Sequence, residues 1–161
     1  MAQKEKVTVQ VRIADIRESR FFIQHSTEVT AENIRQEASY QIQADTAVVD
    51  ETENVAIIFD VRLILKKKPD VVLMHFVSTM SYELAGFEMS HGDANKASIP
   101  TEVMQMLVAA AYSTCRGLVY ARCGESILRH AIMPLHDPMV FLKSHKTIKA
   151  PLVAKNSRLE E

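Results

Sequence analysis

Val55-Ala56-Ile57-Ile58-Phe59-Asp60-Val61-Arg62-Leu63-Ile64-Leu65 puts an apolar residue at every odd position. Side chains alternate across a strand, so Val55, Ile57, Phe59, Val61, Leu63 and Leu65 share one face. Lys66-Lys67-Lys68-Pro69-Asp70 follows, a cluster with turn chemistry. Residues 71–84 then read as a return strand, with Met74, Phe76, Met80, Tyr82 and Leu84 on one side. Two long strands joined by a short turn predict an antiparallel hairpin. Ile58 and Ile64 lend the other face some apolar character. A sheet apolar on both faces is expected to be covered on one and to bind something with the other.

Outward from this hairpin, the upstream sequence also alternates. Val7, Val9, Val11 and Ile13 fall on one face of a first strand, with Thr8, Gln10 and Arg12 opposite. The pattern slips at Ala14-Asp15-Ile16 and resumes at Phe21-Phe22-Ile23. A bulge over residues 18–20 would account for the slip. Residues 27–34 are polar, and Thr30-Ala31-Glu32-Asn33 predicts one helical turn or a loop. Tyr40, Ile42 and Ala44 alternate with Gln41, Gln43 and Asp45 as a second strand, and residues 50–54 form a polar connector.

Downstream the character changes. Residues 87–98 read as a loop containing Gly92-Asp93. Pro100 suits the first turn of a helix, with Ser98 or Ile99 as the cap. From 101 to 123 there is no Pro, and Gly117 is the one internal Gly. Met104, Val108, Ala111, Cys115 and Leu118 recur at alternating spacings of four and three, the seam of a helix packed on another helix. Gly124 is placed to terminate the helix at its C′ position. Pro134 and Pro138 punctuate residues 127–142, where Met139-Val140-Phe141-Leu142 suggests a short helix. The fold class is therefore α+β: a four-stranded antiparallel sheet, then one long helix, then a short C-terminal helix or coda. The expected organisation is a flexible stretch over residues 1–6, one domain over 7–142 and a flexible polar tail over 143–161.

Composition narrows the function classes. The chain has 161 residues, 47% hydrophobic, enough for one domain with a core. A formal net charge of −1 creates no field that would favour nucleic acid or an anionic membrane. No window approaches the ~20 apolar residues of a membrane span, and the polar start does not resemble a signal peptide. Cys115 and Cys123 stand roughly 12 Å apart along one helix, too far for a disulfide within it. A reducing, cytoplasmic setting follows as the expectation.

Signals for chemistry are weak. The six histidines show no i, i+4 pair for a helical metal site. There is no phosphate-binding loop, no nucleophile elbow and no dinucleotide fingerprint. Cys115 and Cys123 read as structural thiols despite nearby Arg116 and Arg122. Lys66-Lys67-Lys68 reads as a hairpin tip that keeps an edge soluble. No catalytic residue, metal or cofactor is expected, which argues for a binding protein rather than an enzyme.

Particular segments carry a family resemblance. Tyr40-Gln41-Ile42-Gln43-Ala44-Asp45-Thr46-Ala47 looks like a second strand ending in Asp-Thr-Ala, and Tyr82-Glu83-Leu84-Ala85-Gly86-Phe87-Glu88 like a fourth-strand exit of the form Phe-x-Ile-x-Gly-x-Glu. Tyr112, Arg122 and Gly124 fall on a long-helix pattern without a gap, and Met133-Pro134-Leu135 looks like the Ala-Pro-Val that follows it. In these motifs and their order, residues 7–142 resemble the SecB protein-export chaperones. The resemblance implies a chaperone that holds unfolded polypeptides or preproteins, without nucleotide, as a homotetramer built from two dimers. It places a peptide groove at Tyr40, Ile42, Met74, Phe76, Tyr82 and Tyr112. The seam Met104, Val108, Ala111, Cys115 and Leu118 becomes the expected oligomer contact.

The chain departs from that family where partners are concerned. SecB proteins dock the motor ATPase SecA through carboxylates on the sheet. Here His75 stands where the family has an acid, and Glu18-Ser19-Arg20-Phe21-Phe22-Ile23-Gln24 keeps at most Glu18. Two other readings stand beside the export chaperone: a SecB-like module dedicated to one partner such as an antitoxin, and a small-ligand-binding domain using the sheet–helix cleft.

Overall fold

The computed structural model of the chain describes residues 10–24, 29–49, 54–85, 90–92 and 96–143. The flexible stretch over 1–6, Val7 and Val9 of the first strand, most of the 50–54 connector and the tail beyond 143 lie outside them. Four strands form one antiparallel sheet: β1 (Gln10–Ile23), β2 (Ala38–Val49), β3 (Asn54–Leu65) and β4 (Lys68–Ala85). A short helix α1 (Ala31–Glu37) joins β1 to β2, and the long helix α2 (Thr101–Cys123) follows the sheet. A 3-10 turn (Ile127–His130) and a short helix α3 (Pro138–Lys143) complete the α+β arrangement expected.

The predicted hairpin is β3–β4, with Val61 opposite Phe76 and Leu63 opposite Met74. Its turn is only Lys66-Lys67, because Lys68 already pairs with Leu65 as part of β4. Strand order is β1-β4-β3-β2, so β1 pairs with the last strand and not with its sequence neighbour. The slip in β1 resolves into two register shifts, between Ile13 and Asp15 and between Glu18 and Arg20. Each extra residue restores the apolar side to the same face. One cross-strand row accordingly runs Phe21, Phe76, Val61, Ile42 and another Ile23, Met74, Leu63, Tyr40.

That face carries the core. Val55, Ile57, Phe59, Val61, Leu63, Met74, Phe76, Met80, Tyr82 and Leu84 are all buried. α2 lies across it, burying Leu107, Val108, Ala111, Tyr112, Cys115, Val119 and Cys123. The Cys123 thiol reaches the Met74 sulfur at 3.8 Å, and the Phe59 and Tyr112 rings lie 5.5 Å apart. Near the end of α2, Arg122 bonds Glu18 of β1 and covers the Phe21 ring at 5.7 Å.

The residues of the seam expected to meet a second copy divide between the core and its margin. Val108, Ala111 and Cys115 are fully buried against the chain's own sheet, while Met104 and Leu118 are partly buried at its margin. The spacing of four and three marks any helix with one buried stripe, and a sheet fills that stripe as well as a helix does. Two further expectations change. Residues 90–92 and 96–98, read as loop, pair as β5 (Ser90–Gly92) and β6 (Lys96–Ser98). Gly124 stands directly after the last residue of α2, with φ −56° and ψ −34°, and its N–H bonds Ala121 O. The α2 cap is Pro100, without a side-chain hydrogen bond.

α1 is longer than one turn because its start is closed twice. The Thr30 hydroxyl accepts from the Asn33 N–H at 3.2 Å, and Asn33 Oδ1 accepts from the Thr30 N–H at 3.2 Å. The helix then buries Ile34 and stands against the 3-10 turn.

Candidate functional site

Residues 131–134 run irregularly between the 3-10 turn and α3, yet three side chains hold their backbone. The Tyr40 hydroxyl donates to Ala131 O at 2.6 Å, the Tyr112 hydroxyl to Pro134 O at 2.6 Å and Arg116 Nε to Met133 O at 3.1 Å. Irregular backbone has no ladder to satisfy its carbonyls, so donors from strand and helix substitute for one. Phe59, Tyr112 and Phe141 stack behind it, with ring centroids 5.0–5.5 Å apart. The segment therefore turns Met133 inward and Ile132 and Leu135 outward, at 3%, 70% and 80% exposure.

A cleft lies on each side of this segment. One, of about 420 Å³, is bounded by α1, the first residues of β2 and the segment itself, with Ile34, Leu63, Tyr40, Arg35, Lys66 and His130 among its walls. The other, of about 310 Å³, lies against the second half of α2, with Arg116, Tyr120, Leu128 and Arg129 among its walls. Ala131 and Ile132 border both. Arg35 and His130 meet at 3.2 Å, the His130 Nδ1 accepting from the guanidinium. Among the described residues β2 is an edge strand, and on its outer side alternate N–H and C=O groups have no strand partner there.

The residues expected to line a groove divide. Tyr40 does border the larger cleft, and Ile42 follows it on the same face of β2, partly buried. Met74, Phe76 and Tyr82 do not reach any cleft surface, because α2 and the neighbouring strands leave them 0%, 0% and 2% exposed. Tyr112 is 3% exposed and uses its hydroxyl on Pro134. In this chain the side chains of these four are packed in the core. Burial pushes the Tyr112 hydroxyl up to about 12 and raises Tyr40 further, so both remain donors at neutral pH. Burial likewise pushes the Cys115 thiol up to about 11, partly countered by Ser78, and raises Cys123. Both thiols are buried and neither is an activated nucleophile.

Sequence reading missed Arg35, Lys66, Arg116, Arg129 and Ile132. Their signal was present in the outward Ile132 and Leu135 flanking Pro134, but it needed the hydrogen bonds of Tyr40 and Tyr112 to show which way the segment faces. Among the described residues no cluster of three metal-ligating side chains occurs, and no helix is long and apolar enough to cross a membrane.

On the other face of the sheet, Asp60 lies between His75 at 3.0 Å and Arg62 at 3.2 Å. The position that departs from the SecB pattern is therefore part of a mixed-charge network.

No family model matches the chain, and no curated protein matches it. Among solved structures it is similar to a SecB-like chaperone of Mycobacterium tuberculosis in complex with a ChAD peptide from the HigA1 antitoxin, with a TM-score of 0.48 and 17% identity over 78% of this chain and 88% of that one. It is also similar to a Streptococcus agalactiae protein of unknown function, with a TM-score of 0.42 and 13% identity over 80% of this chain and 98% of that one. Both are distant structural likenesses.

Proposed function

We propose that this protein is a chaperone that binds extended, non-native polypeptide segments, without catalysis and without a cofactor. The observation that carries the reading is the free edge of β2 running beside an open cleft whose outer wall presents Ile132. An unpaired edge supplies backbone hydrogen bonds to any sequence, and an apolar wall supplies affinity for side chains. The resemblance of the motifs to SecB supports the same reading. Homotetramer formation and a cytoplasmic, preprotein-holding role are its finer parts.

A light-scattering assay on a chemically denatured client tests it. Stoichiometric protein should slow aggregation, and Ile132→Asp should weaken that protection while circular dichroism stays unchanged. No protection by the parent protein at any ratio would defeat the reading.

A second reading, a module dedicated to one partner such as an antitoxin, is favoured by the outer face of the sheet. Asp60 there is engaged by His75 and Arg62 instead of joining a row of free carboxylates. Pull-down with purified SecA separates the two, since retention of SecA would favour export and its absence a dedicated partner.

A further inference from the structure

Cationic side chains are distributed unevenly over this protein. Among the described residues Arg12, Arg17, Arg62, Lys67 and Arg122 each have a carboxylate partner: Glu83, Asp15, Asp60, Glu37 and Glu18. Arg20, Arg35, Lys66, Lys68, Arg116 and Arg129 have none, and Arg35, Lys66, Arg116 and Arg129 border the two clefts beside residues 131–132 while Arg20 lies on β1 and Lys68 starts β4. His130 joins them, with its Nδ1 already taken up by Arg35. Arg116 spends its Nε on Met133 O and keeps its charge. Among the described residues no Asp or Glu borders either cleft. In a chain of formal net charge −1, four cations without a carboxylate partner thus stand around one apolar wall.

We infer that the segments this protein prefers are apolar stretches flanked by Asp or Glu. The inference rests on the proposed polypeptide-binding role and names the chemistry of its ligand. Ile132 and the partly buried Tyr40 receive apolar side chains, while Arg35 and Lys66 meet a carboxylate at one end and Arg116 and Arg129 meet one at the other. Guanidinium groups suit this work because their planar fork matches a carboxylate. A polypeptide fits better than a nucleic acid, because the free β2 edge offers strand pairing and the wall between the cations is aliphatic.

The test uses three labelled peptides with one apolar centre and flanks of Asp/Glu, Ser or Lys, titrated with the full chain by fluorescence anisotropy. The acid-flanked peptide should bind about tenfold more tightly than the Lys-flanked one, as expected of a few solvent-exposed pairs, and raised salt should shrink the gap. Arg35→Gln with Lys66→Gln should narrow the gap by weakening the acid-flanked peptide more than the Ser-flanked one, with unfolding curves verifying the fold. Equal affinities, or a preference for Lys flanks, would overturn the inference and leave polypeptide binding standing. Binding of none of the three would overturn both. Tighter binding of a single-stranded oligonucleotide that displaces the acid-flanked peptide would overturn the inference in favour of nucleic acid.

Discussion

The Tyr40 hydroxyl and the Ala131 carbonyl, 91 residues apart in sequence, are joined by a hydrogen bond of 2.6 Å. It ties the edge strand to the segment that forms the outer wall of the cleft. Tyr40→Phe keeps the ring and removes the donor, leaving the carbonyl unpaired. The expected cost is about 1 kcal/mol in denaturant unfolding. Faster amide exchange should be confined to the vicinity of residues 131–134. An unchanged exchange pattern would show that the bond does not position the segment.

Ala111 and Ala110 are sequence neighbours with opposite surroundings, the first fully buried against the sheet and the second exposed. Ala111→Leu overfills the core and should lower stability by about 1–3 kcal/mol. Ala110→Leu should stay within about 0.5 kcal/mol of the parent. Urea midpoints measure both, and the reverse ranking would mean that the apolar seam of α2 faces away from the sheet.

The Cys115 thiol titrates near 11 in the folded chain against an ordinary 9.0, because burial penalises the thiolate. The unfolded chain therefore releases this proton first. The corresponding stability is complete below about pH 9 and is lost as pH rises toward 11, by at most about 1.4 kcal/mol per pH unit. Cys115→Ala should flatten that part of the alkaline stability profile. At pH 8 a thiol-specific disulfide reagent should label neither Cys115 nor Cys123 until denaturant is added.

Thr30 closes the start of α1, and α1 carries Arg35 to the cleft. Thr30→Ala should cost about 1 kcal/mol in stability. Peptide affinity should fall with it if α1 holds that wall, and Thr30→Ser should restore both. Full affinity in the Ala variant would separate α1 from the binding surface.

How much of this was readable beforehand differs from element to element. The 55–65 alternation and the break at residues 66–70 located β3 and β4, since period two leaves no helical interpretation for eleven residues. The bulge expected over residues 18–20 was visible as a phase change in β1. The role of α2's stripe was not readable. Val108, Ala111 and Cys115 state that one side is apolar, and nothing in their spacing says whether a sheet or a second helix covers it. Met74, Phe76 and Tyr82 posed the same difficulty, because a groove and a core select the same side chains.

By itself the sequence determined the four main strands, the hairpin, the long helix and their apolar faces, because periodicity and turn chemistry are local. The tertiary structure alone decided that β1 pairs with β4, that α2 lies on the chain's own sheet and that Tyr40, Tyr112 and Arg116 hold residues 131–134. Those are long-range contacts, set by which buried faces meet and which carbonyls lack partners. The gathering of Arg35, Lys66, Arg116 and Arg129 in the two clefts beside residues 131–132 belongs to the same class, since only folding brings residues so far apart in sequence to the same place.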